Sequence, residues 1–333
     1  MSTATVRAPS NIALIKYWGA RDLDQAIPYT PSISMTLQAC HTVTTARFHA
    51  GAASEDRVFI ADGEGGLRAP TDAFRAPVAQ HLDRLRAWAD VEGWFEIATR
   101  NSFPSAAGLA SSASGFAALT LAVTRAMGRH PSPEQASVLA RQSGSGSAAR
   151  SVMGGYVEWP VGNGDAPATQ RAPHDHWDLR DVIAIVETKP KSVPSREGHQ
   201  RALTSPFFEQ RLDHLADRLD AVREALQSKD MQRLGEAIET EGVELHLIAM
   251  SSRPPVFYWA PATLAVLEAV RTLRSDGVAA YATMDAGANV HVICPAHDEP
   301  AVVARLKRID GVQTVLRDGV GAGPQFIDEP LLR

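Results

Sequence analysis

The chain has 333 residues, 44% of them hydrophobic and 21% charged, an ordinary balance for a folded protein that excludes disorder as the dominant state. At about 150 residues per domain the length predicts two domains. Thirty-three basic against 38 acidic side chains leave a net charge of −5, so no polybasic excess argues for nucleic acid, and a phosphate-bearing small molecule would need a local cluster of cations.

No run of about 18 apolar residues is present, so no membrane span is expected. The opening Met1-Ser-Thr-Ala-Thr-Val-Arg lacks an apolar signal core, which points to the cytoplasm. Cys40 and Cys294 then read as buried reduced thiols, with a bridge between them the alternative.

Strands come first in chain order. Ser32 to Leu37 alternates polar and apolar, as does His41 to Phe48. Phe74, Val78, Leu82, Leu85 and Trp88 then recur at helical spacing, with Pro77 expected near the first turn, where its missing N–H costs little. A short strand at Trp94 to Ala98 runs into a loop of small residues. A helix with Phe116, Leu119, Val123 and Met127 on one face follows it. Pro131-Ser-Pro-Glu starts another helix, ended by Ser143-Gly-Ser-Gly-Ser147, and Gly154 to Trp159 returns to strand.

The polar stretch from Gly162 to Asp178 reads either as a long loop or as the seam between domains. After it, Asp181 to Glu187 is a buried type of strand. Phe208, Leu212, Leu215, Leu219, Val222 and Leu226 form one apolar stripe; Met231, Leu234, Ile238, Leu245 and Ile248 form a second. Only Ser228-Lys-Asp separates them, so an antiparallel helical hairpin is expected. A helix over about 263–273, strands at 279–284 and 290–294, a helix at 298–308 and a strand at 314–317 complete the pattern. Strands and helices mix without strict βαβ alternation, which predicts an α+β fold.

Four segments could carry chemistry. Pro104-Ser-Ala-Ala-Gly-Leu-Ala-Ser-Ser-Ala-Ser-Gly115 joins a strand to a helix through Gly, Ala and Ser. Such a loop lets backbone N–H groups and the helix dipole meet an anion such as phosphate; close packing of a helix start is the plainer reading. The hydroxyls of Ser111 and Ser112 would add hydrogen bonds or a Mg²⁺ contact. No Gly-Lys-Ser/Thr ends the loop, so it is not a Walker motif.

Ser143-Gly-Ser-Gly-Ser-Ala-Ala-Arg150 places a guanidinium near a helix start. Cations are disfavoured there unless they face an anion such as a carboxylate held in bidentate fashion; a flexible turn with a solvated arginine is the plainer reading. Met284-Asp285-Ala-Gly287-Ala-Asn289 puts a carboxylate at a strand end beside a turn, either projecting into a cleft or capping its own backbone. Asn11-Ile-Ala-Leu-Ile-Lys16 interrupts an apolar run with a lysine that needs a carboxylate or phosphate partner, or that snorkels at the strand end. His174-Asp-His176 has no third metal ligand nearby. Lys189, Lys191 and Arg196 make a modest positive patch, and His246 reads as core.

Taken in this order, Asn11-Ile-Ala-Leu-Ile-Lys-Tyr-Trp-Gly, the segment from Phe103 to Leu119, Gly144-Ser-Gly-Ser-Ala-Ala-Arg-Ser and Asp285-Ala-Gly-Ala-Asn resemble the diphosphomevalonate decarboxylase family of the GHMP kinase superfamily. The resemblance spans nearly the whole chain. It implies an N-terminal ATP-binding α+β domain over residues 1–178 and a C-terminal ferredoxin-like domain over 179–333, with the active site between them. It also implies a homodimer that needs ATP and Mg²⁺, while the charge balance and the lack of an apolar span predict no nucleic-acid or membrane partner. The implied reaction moves the γ-phosphoryl group of ATP to the 3-hydroxyl of (R)-5-diphosphomevalonate. ADP, phosphate and CO₂ are released and isopentenyl diphosphate is left for isoprenoid synthesis.

By the same resemblance Asp285 holds or takes the hydroxyl proton, Lys16 stabilises the departing phosphate and Arg150 clamps the C1 carboxylate. Pro104, Ala107, Gly108, Leu109, Ala110, Ser111 and Ser112 cradle the triphosphate, with Ser112 toward the metal and Asn101 on the nucleotide side. Tyr17, Ser145, Gly146, Ser147, Ser195 and Arg196 line the 5-phosphate end. One departure stands out: the family usually has a second lysine where Ala20 follows Gly19. Losing that cation weakens the case for two phosphates, so a phosphomevalonate decarboxylase acting on the 5-monophosphate is the alternative. A catalytically inactive nucleotide or metabolite sensor of the same fold is an alternative of another class.

Overall fold

A computed structural model describes every residue except 1, 52–54, 63–64, 104–110, 163–164, 190, 192 and 333. The chain begins with β1 (Ser2–Ile15), the small ribbon β2 (Ala20–Asp22) and β3 (Ile27–Pro28), and the long β4 (Ser32–Ala50). Next come β5 (Arg57–Ala61), β6 (Leu67–Arg68), α1 (Asp72–Ala89), β7 (Gly93–Asn101), α2 (Ser111–Ala126), α3 (Pro133–Arg141), α4 (Ala148–Ser151), β8 (Tyr156–Trp159) and β9 (Thr169–Ala172). The remainder is β10 (Leu179–Ile185), α5 (Ser195–Ala202), α6 (Phe208–Ser228), α7 (Met231–Ser251), α8 (Pro261–Ser275), β11 (Tyr281–Thr283), β12 (Val290–Pro295), α9 (Glu299–Leu306), β13 (Thr314–Gly319) and β14 (Gln325–Phe326).

The first sheet runs β14-β1-β4-β7-β5-β6, with β8 beside β4 and β9 beside β8. Among the described residues only β5 and β7 pair in parallel. One face of this sheet, through Val6, Ala8, Phe95 and Ile97, packs on α1, α2 and α3. The helix after the small-residue loop is buried nearly all round because Ala113, Ala117, Ala118 and Ala122 let it lie close to β1 and β4. The opposite face, through Ile12, Leu14, Ile33 and Met35, shares a core with Ile183, Leu215, Ile238 and Ile293 of the second half of the chain.

The second sheet is antiparallel, in the order β11-β12-β10-β13. Its strands bury both faces, which is why Asp181 to Glu187 reads as a continuous apolar run. Leu179, Ile183 and Ile185 face α6 and α7, while Val182 and Ala184 face α8 and its neighbours. The α6–α7 hairpin forms as expected: Lys229 takes the left-handed conformation at φ 59°, and Asp230 accepts from the Arg233 N–H at 3.0 Å. Ser132 and Gln135 close a capping box at the start of α3.

Three local expectations shift. Pro77 lies at the sixth residue of α1, beyond the first turn. The polar stretch after Gly162 contains a strand, β9, that extends the first sheet. Arg150 sits on a single-turn helix, α4, instead of near the start of a longer one. Cys40 and Cys294 are both buried and unbridged.

The sheets meet through Asp318. In β4, residues 37–40 leave the ladder with β1, where pairing jumps from Pro9–His41 to Asn11–Thr36. Their freed amides turn to one carboxylate: Asp318 accepts from Gln38 N at 2.7 Å, Ala39 N at 2.8 Å and Cys40 N at 2.7 Å.

Candidate active site

A cleft of about 1370 Å³ lies where the end of β1, the start of α2 and the 143–150 segment face α5 and the β11–β12 turn. Lys16 is its most buried cation, 1% exposed, because β1 carries it past the last apolar pair and under the second sheet. Its Nζ donates to Asp285 Oδ1 at 2.8 Å and to the Ala13 carbonyl at 2.8 Å. Asp285 is 27% exposed, so one side of this ion pair opens on the cleft. Asp285 does not cap its own backbone; the turn closes instead through Gly287 N on the Asp285 carbonyl at 2.7 Å. Asn289 anchors the turn by accepting from Val186 N at 2.7 Å and Glu187 N at 3.0 Å. Burial alone would raise the Asp285 pKa; Lys16, His291 and Arg150 outweigh it and hold the carboxyl below its ordinary range.

Arg150 is 2% exposed. It donates to Ser32 Oγ at 2.5 Å and to Asn11 Oδ1 at 3.2 Å, both neutral oxygens, and its Nε has no partner among the described residues. Burial pulls its pKa down to about 10, with Asp285 and Tyr17 acting the other way. A buried guanidinium that meets only neutral oxygens beside a cleft has the chemistry to pair with an anion. Asn11 is itself held by Ser151 Oγ at 2.7 Å, so Arg150 is braced from the strand behind it.

Ser112, at the start of α2, accepts from Ser145 Oγ at 3.2 Å, and Ser145 lies 3.4 Å from Ser147 Oγ. The two small-residue segments therefore meet. Gly146 lets the second one lie on the Tyr17 and Trp159 rings, since a Cβ there would stand 2.6 Å from Tyr17 and 2.8 Å from Trp159. Burial pushes the Tyr17 phenol above its ordinary value. Arg196 donates to the Leu23 carbonyl at 2.7 Å and to Asp24. Ser195 accepts from Lys191 Nζ at 2.7 Å, and Lys191 also reaches the Ala286 carbonyl at 2.9 Å.

Of the residues singled out by sequence, Lys16, Tyr17, Ser111, Ser112, Ser145, Gly146, Ser147, Arg150, Ser195, Arg196 and Asp285 all border this one cleft. Asn101 borders an adjoining apolar pocket of about 320 Å³, with Phe74, Phe116, Ser111 and Ser112. Pro104, Ala107, Gly108, Leu109 and Ala110 lie outside the described residues. Sequence reasoning missed His199 and gave Lys191 little weight. It also missed Glu241, buried on α7, which accepts from Lys16 N at 2.9 Å while Arg211 donates to the Lys16 carbonyl at 3.0 Å. A glutamate and an arginine inside apolar stripes were the available signal. His176, one half of the His-Asp-His triplet, bonds the Leu226 carbonyl at 2.8 Å. Among the described residues no group of three or more His, Cys, Asp or Glu is placed to hold a metal.

A two-sheet α+β body with a carboxylate–lysine pair facing the N-terminus of a buried helix defines an enzyme of the GHMP kinase fold. Residues 8–170 match the diphosphomevalonate decarboxylase-like N-terminal domain and residues 181–326 the mevalonate 5-diphosphate decarboxylase C-terminal domain. The chain belongs to the diphosphomevalonate decarboxylase family. It is 36% identical to the diphosphomevalonate decarboxylase of Aspergillus fumigatus, over 95% of this chain and 82% of the relative. It is 32% identical to the phosphomevalonate decarboxylase of Haloferax volcanii, over 98% of each. Among solved structures, MDDEF in complex with MVAPP, AMPPCP and magnesium superposes with a TM-score of 0.89 at 36% identity, covering 98% of this chain and 99% of that one.

Proposed function

We propose that the protein decarboxylates (R)-5-diphosphomevalonate at the expense of ATP, giving isopentenyl diphosphate, ADP, phosphate and CO₂. The observation that carries this reading is the half-open Lys16–Asp285 pair beside a buried, incompletely satisfied Arg150, opposite the start of α2. The family relatives support the same reaction.

In this reading the substrate's 3-hydroxyl donates to Asp285. A tertiary alcohol is hindered, so orientation matters most, and a carboxylate of lowered pKa serves better as an acceptor that fixes the oxygen than as a strong base. As the oxygen bonds to the γ-phosphorus, the bond from that phosphorus to the bridging oxygen breaks, ADP leaves with the electron pair, and the hydroxyl proton passes to Asp285. Arg150 holds the C1 carboxylate; when the phosphate leaves C3, the C1–C2 electrons become the C2–C3 double bond and CO₂ departs. Lys16 meets the charge that grows on the departing phosphate. The triphosphate lies at the start of α2, against Ser111 and Ser112. One carboxylate and two hydroxyls fit a hard ion held largely by phosphate oxygens, not a protein cage, so Mg²⁺ would sit near Ser112 and supply charge neutralisation to the triphosphate.

Incubating the purified protein with ATP, Mg²⁺ and each mevalonate ester, and measuring CO₂ and ADP together, tests this. Equal amounts of both products are expected; ATP binding without turnover would mark a sensor instead. A specific observation favours the 5-monophosphate as a second reading: Ala20, where the family usually has a cation, is buried and apolar. We further propose a division into domains near residue 178, a homodimer in solution and a cytoplasmic location. The two unbridged buried cysteines support the last. Among the described residues no helix is long and apolar enough to cross a membrane.

A further inference from the structure

Resting on the reading that the substrate's phosphate end lies beside Tyr17 and Arg196, we propose that His199 is a substrate-positioning residue. Its uncharged imidazole donates the Nε2–H to a phosphoryl oxygen of the mevalonate ester, next to the position where Ala20 stands in place of a lysine.

The tautomer follows from one hydrogen bond. Gly19 N lies 3.1 Å from His199 Nδ1. A backbone amide only donates, so Nδ1 is the acceptor and a neutral ring carries its proton on Nε2. The amide is itself fixed: Gly19 has φ +84°, and a Cβ there would stand 2.6 Å from the Phe208 ring. The imidazole is gripped between Tyr17, at 4.3 Å, and Trp18, at 4.9 Å between ring centroids. His199 borders the cleft, yet Nε2 has no partner among the described residues. A largely buried N–H donor held this firmly and left unspent points to a ligand acceptor.

The groups facing the ring explain its charge. They are Tyr17 from just after β1, Lys191 from the segment before α5, Arg196 from α5 itself and Arg211 from α6. The acidic Glu197 of α5 is already paired with Arg201. Burial first, then the three cations, push the imidazole down to about 3. His199 therefore offers direction without charge, whereas a lysine at position 20 would offer charge without a fixed direction.

The test measures ester affinity by calorimetry alongside steady-state kinetics. His199→Asn keeps an acceptor toward Gly19 and loses the outer donor; His199→Gln restores a donor near the Nε2 position. The expected result is an ester Kd about tenfold weaker in His199→Asn, largely recovered in His199→Gln, with the Kd for ATP within twofold throughout. Because the donor is neutral, the ratio of wild-type to His199→Asn kcat/KM should stay flat between about pH 5.5 and 8.5. An unchanged ester Kd in a His199→Asn protein with a native melting curve overturns the proposal. So does a ratio that climbs toward acid pH, which would reveal an imidazolium. Wild-type protein that binds ester but turns over neither form defeats the reaction reading alone, and the Kd comparison still decides His199.

Discussion

Lys16 and Asp285 depend on each other unequally. Removing the lysine leaves a carboxylate that still touches solvent, whereas removing the carboxylate leaves an ammonium 1% exposed whose one remaining partner among the described residues is the Ala13 carbonyl. Asp285→Ala is therefore expected to cost stability as well as activity. Turnover should fall at least 100-fold, while ATP affinity stays within a few-fold because α2 is untouched; parallel kinetics and nucleotide titration check both. Ala20→Lys belongs to the same scale. Added to the phosphate end, the ammonium should raise kcat/KM for the diphosphate relative to the monophosphate, and an unaltered ratio would show that position 20 does not read phosphate number. Lys16, Arg150 and Asp285 were legible because each is a charge where a charge is costly. His199 and Asn11 were not, since their meaning comes from Gly19 and Arg150, neighbours supplied only by the fold.

At the scale of elements, α7 does more than close the core. Gly235 lets it press on β11, where a Cβ would stand 2.1 Å from the Tyr281 ring. That close approach brings Glu241 to the Lys16 backbone, with Arg211 and Arg218 completing a buried network. Burial alone would raise the Glu241 pKa, but Arg211 and Arg218 more than offset it and keep the carboxyl below its usual range. Glu241→Gln retains an acceptor for Lys16 N and loses the charge that balances two arginines. Its kcat should drop about tenfold or more with little change in ester KM, and its melting temperature should fall; single-turnover kinetics and calorimetry read the two effects. The α6–α7 hairpin could be drawn from sequence because two full apolar stripes flank a three-residue connection. β9 and β14 could not, because strands of four and two residues carry too little alternation to rise above a polar loop.

Across the whole molecule, three buried histidines bear on stability. Burial pushes His81, His199 and His246 each down to about 3. Folded imidazoles that resist protons leave the unfolded chain to bind them first. Stability is therefore complete above about pH 6.5 and declines as pH falls from there toward 3, each site adding up to about 1.4 kcal/mol per pH unit. Urea midpoints measured at pH 7.5 and 5.5 should show the loss, and replacing His81 by Gln, which removes one such site away from the cleft, should shallow the slope. The overall α+β class and the order of the main elements were legible from periodicity; the pairing of β14 with β1, which returns the chain to its first strand, depends on contacts some 320 residues apart in sequence.

The carboxylate of Asp318 has a mechanical consequence. Three consecutive amides of β4 converge on it, and rocking one sheet against the other would have to strip them away together. This junction of the two sheets is in effect riveted, so accommodation of ligands falls to small adjustments in the cleft lining, around α1 and α5, with no jaw-like swing. Small-angle scattering with and without an ATP analogue and ester should then return the same radius of gyration, and a marked contraction on binding would mean the rivet gives way.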